Sequence, residues 1–193
     1  MHPALSPFLL SSTLFLELPI YVGVELPSGA LERALGEADR LFDAGGIQFQ
    51  WQLSPSQLLS EAPAVVVVLP RPGRAIISGC RRDLHDHRLG HANLGTRRVT
   101  VWTEQVARAV EGSWDRKDPP RVEGDALGTA LGRVLAHELA HLFLRLNGHR
   151  ENGLMKPSFS QRALVGKSDR AFRLSGEDLE RVRAVITRLQ VGH

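Results

Sequence analysis

Leu14, Leu16, Leu18 and Ile20 recur at every second position, which predicts a strand over roughly Thr13 to Val24, bent at Pro19. Pro27-Ser28-Gly29 then turns the chain. From Ala30 to Phe42 the period changes: Leu31, Ala34, Leu35, Ala38, Leu41 and Phe42 fall on one helical face, and Asp43-Ala44-Gly45-Gly46 stops the helix. Ile47, Phe49 and Trp51 alternate with glutamines, as in a half-buried strand. Ala64 to Leu69 holds four consecutive valines, which predicts a central strand buried on both faces. Arg71 to Arg98 shows no period and is expected to be a long surface loop. Alternation returns from Arg98 to Thr103, followed by a short helix from about Glu104 to Val110 and a linker from Gly112 to Gly124. The strongest helix runs from Asp125 to about Leu146, with Asn147-Gly148 as its stop. Another irregular stretch, His149 to Arg173, leads to a last helix that opens at Ser175 with Asp178 three residues on. Its expected buried stripe is Leu179, Val182, Ile186 and Leu189. Strands and helices in this order indicate an α+β layer arrangement rather than strict βαβ alternation.

Composition narrows the class only a little. The 193 residues suit one compact domain, and 42% hydrophobic with 23% charged residues excludes disorder as the main state. The net charge of +3 is mild despite a pI near 9.6, and the arginines lack interleaved aromatics, so no nucleic-acid partner is expected. The single cysteine, Cys80, excludes an internal disulfide and any multi-cysteine zinc site. The apolar stretch from Pro7 to Val24 has no preceding Lys or Arg and is broken by Glu17 and Pro19. It is a poor signal peptide and a worse membrane span, so a cytoplasmic location is expected ahead of export, with no membrane partner. Eight histidines are what composition leaves unexplained.

Three of them concentrate on and just after the long helix. His137-Glu138-Leu139-Ala140-His141 fits the pattern H-E-x-x-H. Residues i and i+4 of a helix lie one above the other, so both imidazoles can reach one tetrahedral zinc. Glu138 then sits beside the metal, where it can hold the zinc-bound water and take its proton. Leu131, Leu135, Leu139, Leu142 and Leu146 define the opposite, core-facing side. A catalytic zinc takes three protein ligands and leaves a fourth position for water. His149 is the best third ligand, since a chain reversal after the helix stop can bring it back; Glu151, Glu177 and Glu180 are the competitors.

The run from His137 through His149 to Gly153-Leu154-Met155 resembles the metzincin clan, and more closely a group of small bacterial metzincin-like zinc proteases. The resemblance implies zinc on His137, His141 and His149, with Glu138 as general base and Met155 in a Met-turn beneath the metal. Weaker similarity covers Ala44 to Trp51, Leu89 to Ala92, Arg98 to Thr103 and Leu174 to Arg183. Two departures stand out: Leu144 replaces the usual glycine after the second His, and Asn147 occupies the usual third-His position. A tyrosine near the Met-turn is also missing, since the only one is Tyr21; Arg150 and Arg162 are the substitutes considered for stabilising an oxyanion.

Together these features lead us to expect one α+β, zincin-like domain of the metzincin type over residues 1–193. A twisted, mostly four-stranded mixed sheet would be backed by the Ala30–Phe42 helix and the active-site helix. Residues 1–148 would form the sheet and active-site-helix lobe, and 149–193 a small C-terminal lobe. Arg98 to Thr103 is the expected sheet edge nearest the zinc, where an extended peptide could pair by strand addition. The expected activity is that of a monomeric zinc metalloendopeptidase acting on peptide or protein substrates. The alternative is a catalytically weak or inactive zinc-dependent module that binds a peptide or protein. His85, His87 and His91, with Asp83 and Asp86, are expected on a solvated loop rather than at a second metal.

Overall fold

The computed structural model describes residues 13–54, 66–69, 88–114, 118 and 120–191. Strand β1 (Leu14–Val22) buries Leu16, Leu18 and Ile20 and leaves Phe15 and Glu17 exposed, as its alternation predicts. Helix α1 (Ala30–Asp43) carries the chain back to strand β2 (Ile47–Leu53), which pairs in parallel with β1, Leu16 opposite Phe49. On that face Phe42 of α1 meets Phe49 edge-on at 5.1 Å between ring centres. Phe143, on the helix α3 (Gly124–Leu144), stacks on Phe49 at 6.1 Å. Three almost fully buried rings thus bind both helices to one side of the sheet, each worth roughly 1.5–3 kcal/mol by area alone.

Strand β3 (Val66–Leu69) runs parallel to β1 and lies at the centre of the sheet, as its valine run predicts. Strand β5 (Arg98–Val101) runs parallel to β3, and strand β4 (Gly90–Asn93) pairs antiparallel with β5. The order is β2-β1-β3-β5-β4. Two expectations are therefore corrected. Among the described residues the sheet has five strands rather than four, and its edge on the side of β5 is β4, not Arg98 to Thr103. Gly90-His91-Ala92-Asn93 has no period of its own; the ladder with β5 makes it a strand, and His91 leaves the expected loop for the sheet. His85, His87, Asp83, Asp86 and Cys80 lie outside the described residues.

Helix α2 (Thr103–Glu111) ends on Gly112 at φ 70°, and α3 then passes through the middle of the molecule. It is buried on every side, not only along its leucines. Its Gly128 lies against α1, where a methyl group would come within 2.6 Å of the Ala30 carbonyl, and Gly132 meets the Ala34 carbonyl in the same way. Between these contacts Arg133 is 2% exposed and pairs at 2.8 Å with Glu37 of α1. Burial alone would raise the Glu37 carboxyl, but hydrogen bonds from Arg40 and Arg133 outweigh it and hold it below its ordinary range. Arg133 also donates to the carbonyls of Ala163 and Leu164 and stacks on Phe172, so one side chain ties α1 and α3 to the segment beyond residue 149.

That segment, expected to be irregular, holds a 3-10 turn at Gly153–Met155, the short helix α4 (Gln161–Val165) and a 3-10 turn at Arg170–Phe172. Helix α5 (Gly176–Val191) follows, with Val182 and Ile186 buried. The Ser175 hydroxyl accepts from the Asp178 backbone N–H at 3.1 Å, the cap that the sequence indicates. No helix among the described residues is long and apolar enough to cross a membrane.

Candidate metal centre

Helix α3 stops two residues earlier than its periodicity indicates. Arg145, not Asn147-Gly148, takes the left-handed conformation (φ 52°). The Leu146 N–H donates to the His141 carbonyl at 3.1 Å and the Arg145 N–H to the Leu142 carbonyl at 3.3 Å, the two bonds of a Schellman stop. This early reversal brings His149 back over the helix end. Its ring centre lies 5.4 Å from that of His137 and 4.9 Å from that of His141. One ligand nitrogen from each of the three imidazoles can be chosen so that all lie within 4.8 Å of one another. His137 and His141 are buried, while His149 is exposed.

Backbone carbonyls orient the two buried rings. His137 Nδ1–H donates to Leu154 O at 2.6 Å, and His141 Nδ1–H donates to Leu146 O at 2.7 Å. A carbonyl only accepts, so each Nδ1 carries the proton and each neutral ring presents a bare Nε2. The two Nε2 atoms stand 3.0 Å apart. Neither can then donate to the other, and two lone pairs facing at that distance repel unless a cation lies between them. Three imidazoles, two of them with carbonyl-anchored rings, suit zinc in both ligand type and second-sphere support. Burial holds His137 down to about 4, against the Leu154 bond that raises it, and burial also lowers His141. Both shifts favour the neutral ring, the form that a metal ligand needs.

Glu138 faces strand β4. It is 7% exposed, and burial pushes its carboxyl up to about 8, opposed by the N–H of Ala92, which donates to it. Room for it exists only because position 90 is glycine: a methyl group there would sit 2.7 Å from Glu138 Cγ and 2.8 Å from Oε1. The turn at residues 153–155 is equally constrained. Gly153 adopts φ 74° with the Arg173 carbonyl packed against it, and Leu154 N–H donates to that carbonyl at 3.1 Å. This pinned turn presents the Leu154 carbonyl to His137 and buries Met155.

All four chemistry-bearing residues of the motif, His137, Glu138, His141 and His149, line one cleft of about 940 Å³. Met155 is buried in the core and is not part of the cleft wall. The competing acids are placed otherwise: Glu151 is exposed, and Glu177 pairs with Arg181 along α5. Arg150 is held by Asp178 at 2.7 Å, and neither it nor Arg162 lines the cleft. Sequence reasoning missed Gly90, the Ala92 N–H, the Leu146 and Leu154 carbonyls, and Arg133. Only Arg133 carries a local signal, a lone cation inside an otherwise apolar helical run.

Several solved structures share this fold, among them the following two. A zinc-dependent peptidase from Methanocorpusculum labreanum superposes with a TM-score of 0.57 at 13% sequence identity, over 86% of this chain and 99% of that one. Archaemetzincin from Methanopyrus kandleri superposes with a TM-score of 0.50 at 17% identity, over 92% of this chain and 97% of that one. At such identities the likeness is one of fold. No family model matches the sequence, and no curated protein matches it.

Proposed function

We propose that this chain is a zinc-dependent metallopeptidase whose Zn2+ is held by His137, His141 and His149, with Glu138 as general base. The observation that carries this is the pair of bare imidazole nitrogens facing each other at 3.0 Å beside a buried carboxylate, with a third imidazole completing the set. Names borne by two proteins of the same fold, a zinc-dependent peptidase and an archaemetzincin, point the same way.

Zinc, when bound, supplies Lewis acidity that polarises the scissile carbonyl and makes water nucleophilic near neutral pH. With the charge of a bound zinc offsetting the burial that raises its carboxyl, Glu138 would be ionised, take the proton of the attacking water and hand it to the leaving amine. The Ala92 N–H and the space at Gly90 orient the carboxylate for this. Leu154 and Leu146 keep the His137 and His141 rings turned so that Nε2 faces the metal. Met155 forms the floor beneath, as in a Met-turn, and the chain after Gly148 closes the site from below. Strand β4, at the sheet edge, is where an extended peptide of an endopeptidase substrate would align.

Metal analysis of the purified chain, with a peptide-library digest in the presence and absence of chelator, tests this. One zinc per chain and chelator-sensitive cleavage that Glu138→Gln abolishes are expected. Bound zinc with no cleavage of any peptide would favour the second reading, a zinc-dependent binding module. The absence of tyrosine from the described cleft wall is what supports that alternative.

A further inference from the structure

The cleft over the three imidazoles is lined, among the described residues, by only three side chains of fixed charge type: Arg88, Lys156 and Glu138. Glu138 is buried, its carboxyl set against Gly90 of β4. Among the described residues, the charges a ligand meets at the cleft wall are therefore those of Arg88 and Lys156. Arg88 stands just before β4, and its charge, together with burial, keeps the His91 imidazole low. Lys156 stands on another wall, directly after the Gly153–Met155 turn, half-buried, with its backbone N–H fixed to the Gly153 carbonyl at 3.3 Å. A zinc ion would add two further positive charges to the same cleft.

We propose that this cleft selects peptides carrying a carboxylate close to the scissile bond, with Lys156 as its main partner on the wall; this rests on the peptidase reading above. A half-buried lysine on a pinned backbone gives up less freedom to a carboxylate than a fully exposed one does, and the cleft walls weaken solvent screening. The carboxylate can come from an Asp or Glu side chain or from the free C-terminus of a short peptide. Arg88 adds to the positive potential without needing direct contact.

The test uses the zinc-loaded full chain and three peptides built on one sequence: amidated and neutral, amidated with Glu beside the scissile bond, and neutral with a free C-terminal carboxylate. Both kcat/KM and binding by fluorescence anisotropy are read. At least one carboxylate peptide should exceed the neutral one by about fivefold in both readouts, and which one does so identifies the source. Lys156→Glu should abolish that preference and turn it toward a Lys-containing peptide. Equal cleavage and equal binding of all three peptides would end this inference and leave the peptidase reading intact. No cleavage, with Lys156-dependent binding of a carboxylate peptide, would end the peptidase reading and keep carboxylate recognition. A preference that survives Lys156→Glu also overturns the proposal.

Discussion

Gly90→Ala separates catalysis from folding. Gly90 has an ordinary φ, so alanine fits the backbone. The added methyl would lie 2.7 Å from Glu138 Cγ and 2.8 Å from Oε1, whereas ordinary contact begins at 3.4 Å. The side-chain end of Glu138 must therefore retreat by about 0.7 Å, which strains the bond from the Ala92 N–H. The group that moves is a side chain from Cγ outward and not backbone, so the packing cost stays at the low end of the ~1–3 kcal/mol usual for overfilling a core. Replacing glycine within a strand offsets part of it, by roughly 0.5–1 kcal/mol. Stability should barely change. Catalysis should suffer, because misplacing a reacting group by ~1 Å costs on the order of 100-fold. We expect kcat/KM to fall by about 10- to 100-fold, with zinc content and Tm close to those of the parent. Metal analysis, a thermal melt and peptide cleavage on one preparation decide it. Full activity in Gly90→Ala would refute the placement of Glu138; activity lost in step with zinc or fold would refute the separation.

Gly132→Ala makes the opposite contrast, because its methyl meets the Ala34 backbone carbonyl; a loss of roughly 1–3 kcal/mol in urea unfolding is expected, and none would contradict the α1–α3 contact. Arg133→Ala should cost roughly 1.5–3 kcal/mol in the same assay, since it leaves Glu37 with Arg40 as its remaining partner and takes the donor from the Ala163 and Leu164 carbonyls; a change under about 1 kcal/mol would show that the pair does not hold the two segments together. His149→Ala should lower zinc affinity by at least about tenfold in a competition titration; unchanged affinity would transfer the third-ligand role elsewhere. In chelator, folded Glu138 keeps up to about pH 8 a proton that the unfolded chain releases near 4.5, so stability should fall as pH rises between those values. His137 acts only below 6.5, where protonation of the unfolded chain costs stability as pH drops toward 4. The window from 6.5 to 8 therefore isolates Glu138. Thermal melts there should slope downward in the metal-free parent, and Glu138→Gln should flatten them; equal slopes would refute the burial of a protonated carboxyl.

Much of the site follows from local geometry. The i, i+4 spacing of His137 and His141 sets both rings on one side of a helix whatever surrounds it, and Glu138 comes with them. The strands at Leu14–Val22 and Ile47–Leu53 and the Ser175–Asp178 cap rest on contacts within a few residues of chain, so alternation and capping residues predict them. His149 was within reach as a candidate, but the Asn-Gly stop proposed to return it was wrong, because Arg145 adopts a conformation that favours glycine.

What only the tertiary structure decided are the features built by residues far apart in sequence. Strand β4 exists through its ladder with β5 and has no hydrophobic period of its own. The carbonyl that turns His137 belongs to Leu154, seventeen residues on, at a turn pinned by Arg173. Arg133 is satisfied by Glu37, ninety-six residues earlier, and by carbonyls thirty residues later. Helical spacing is imposed by backbone geometry one turn at a time, so the sequence alone announces the two histidines and their neighbouring glutamate. Closing the third histidine, the orienting carbonyls and the edge strand around them takes long-range packing, whose free energy no short window of sequence contains.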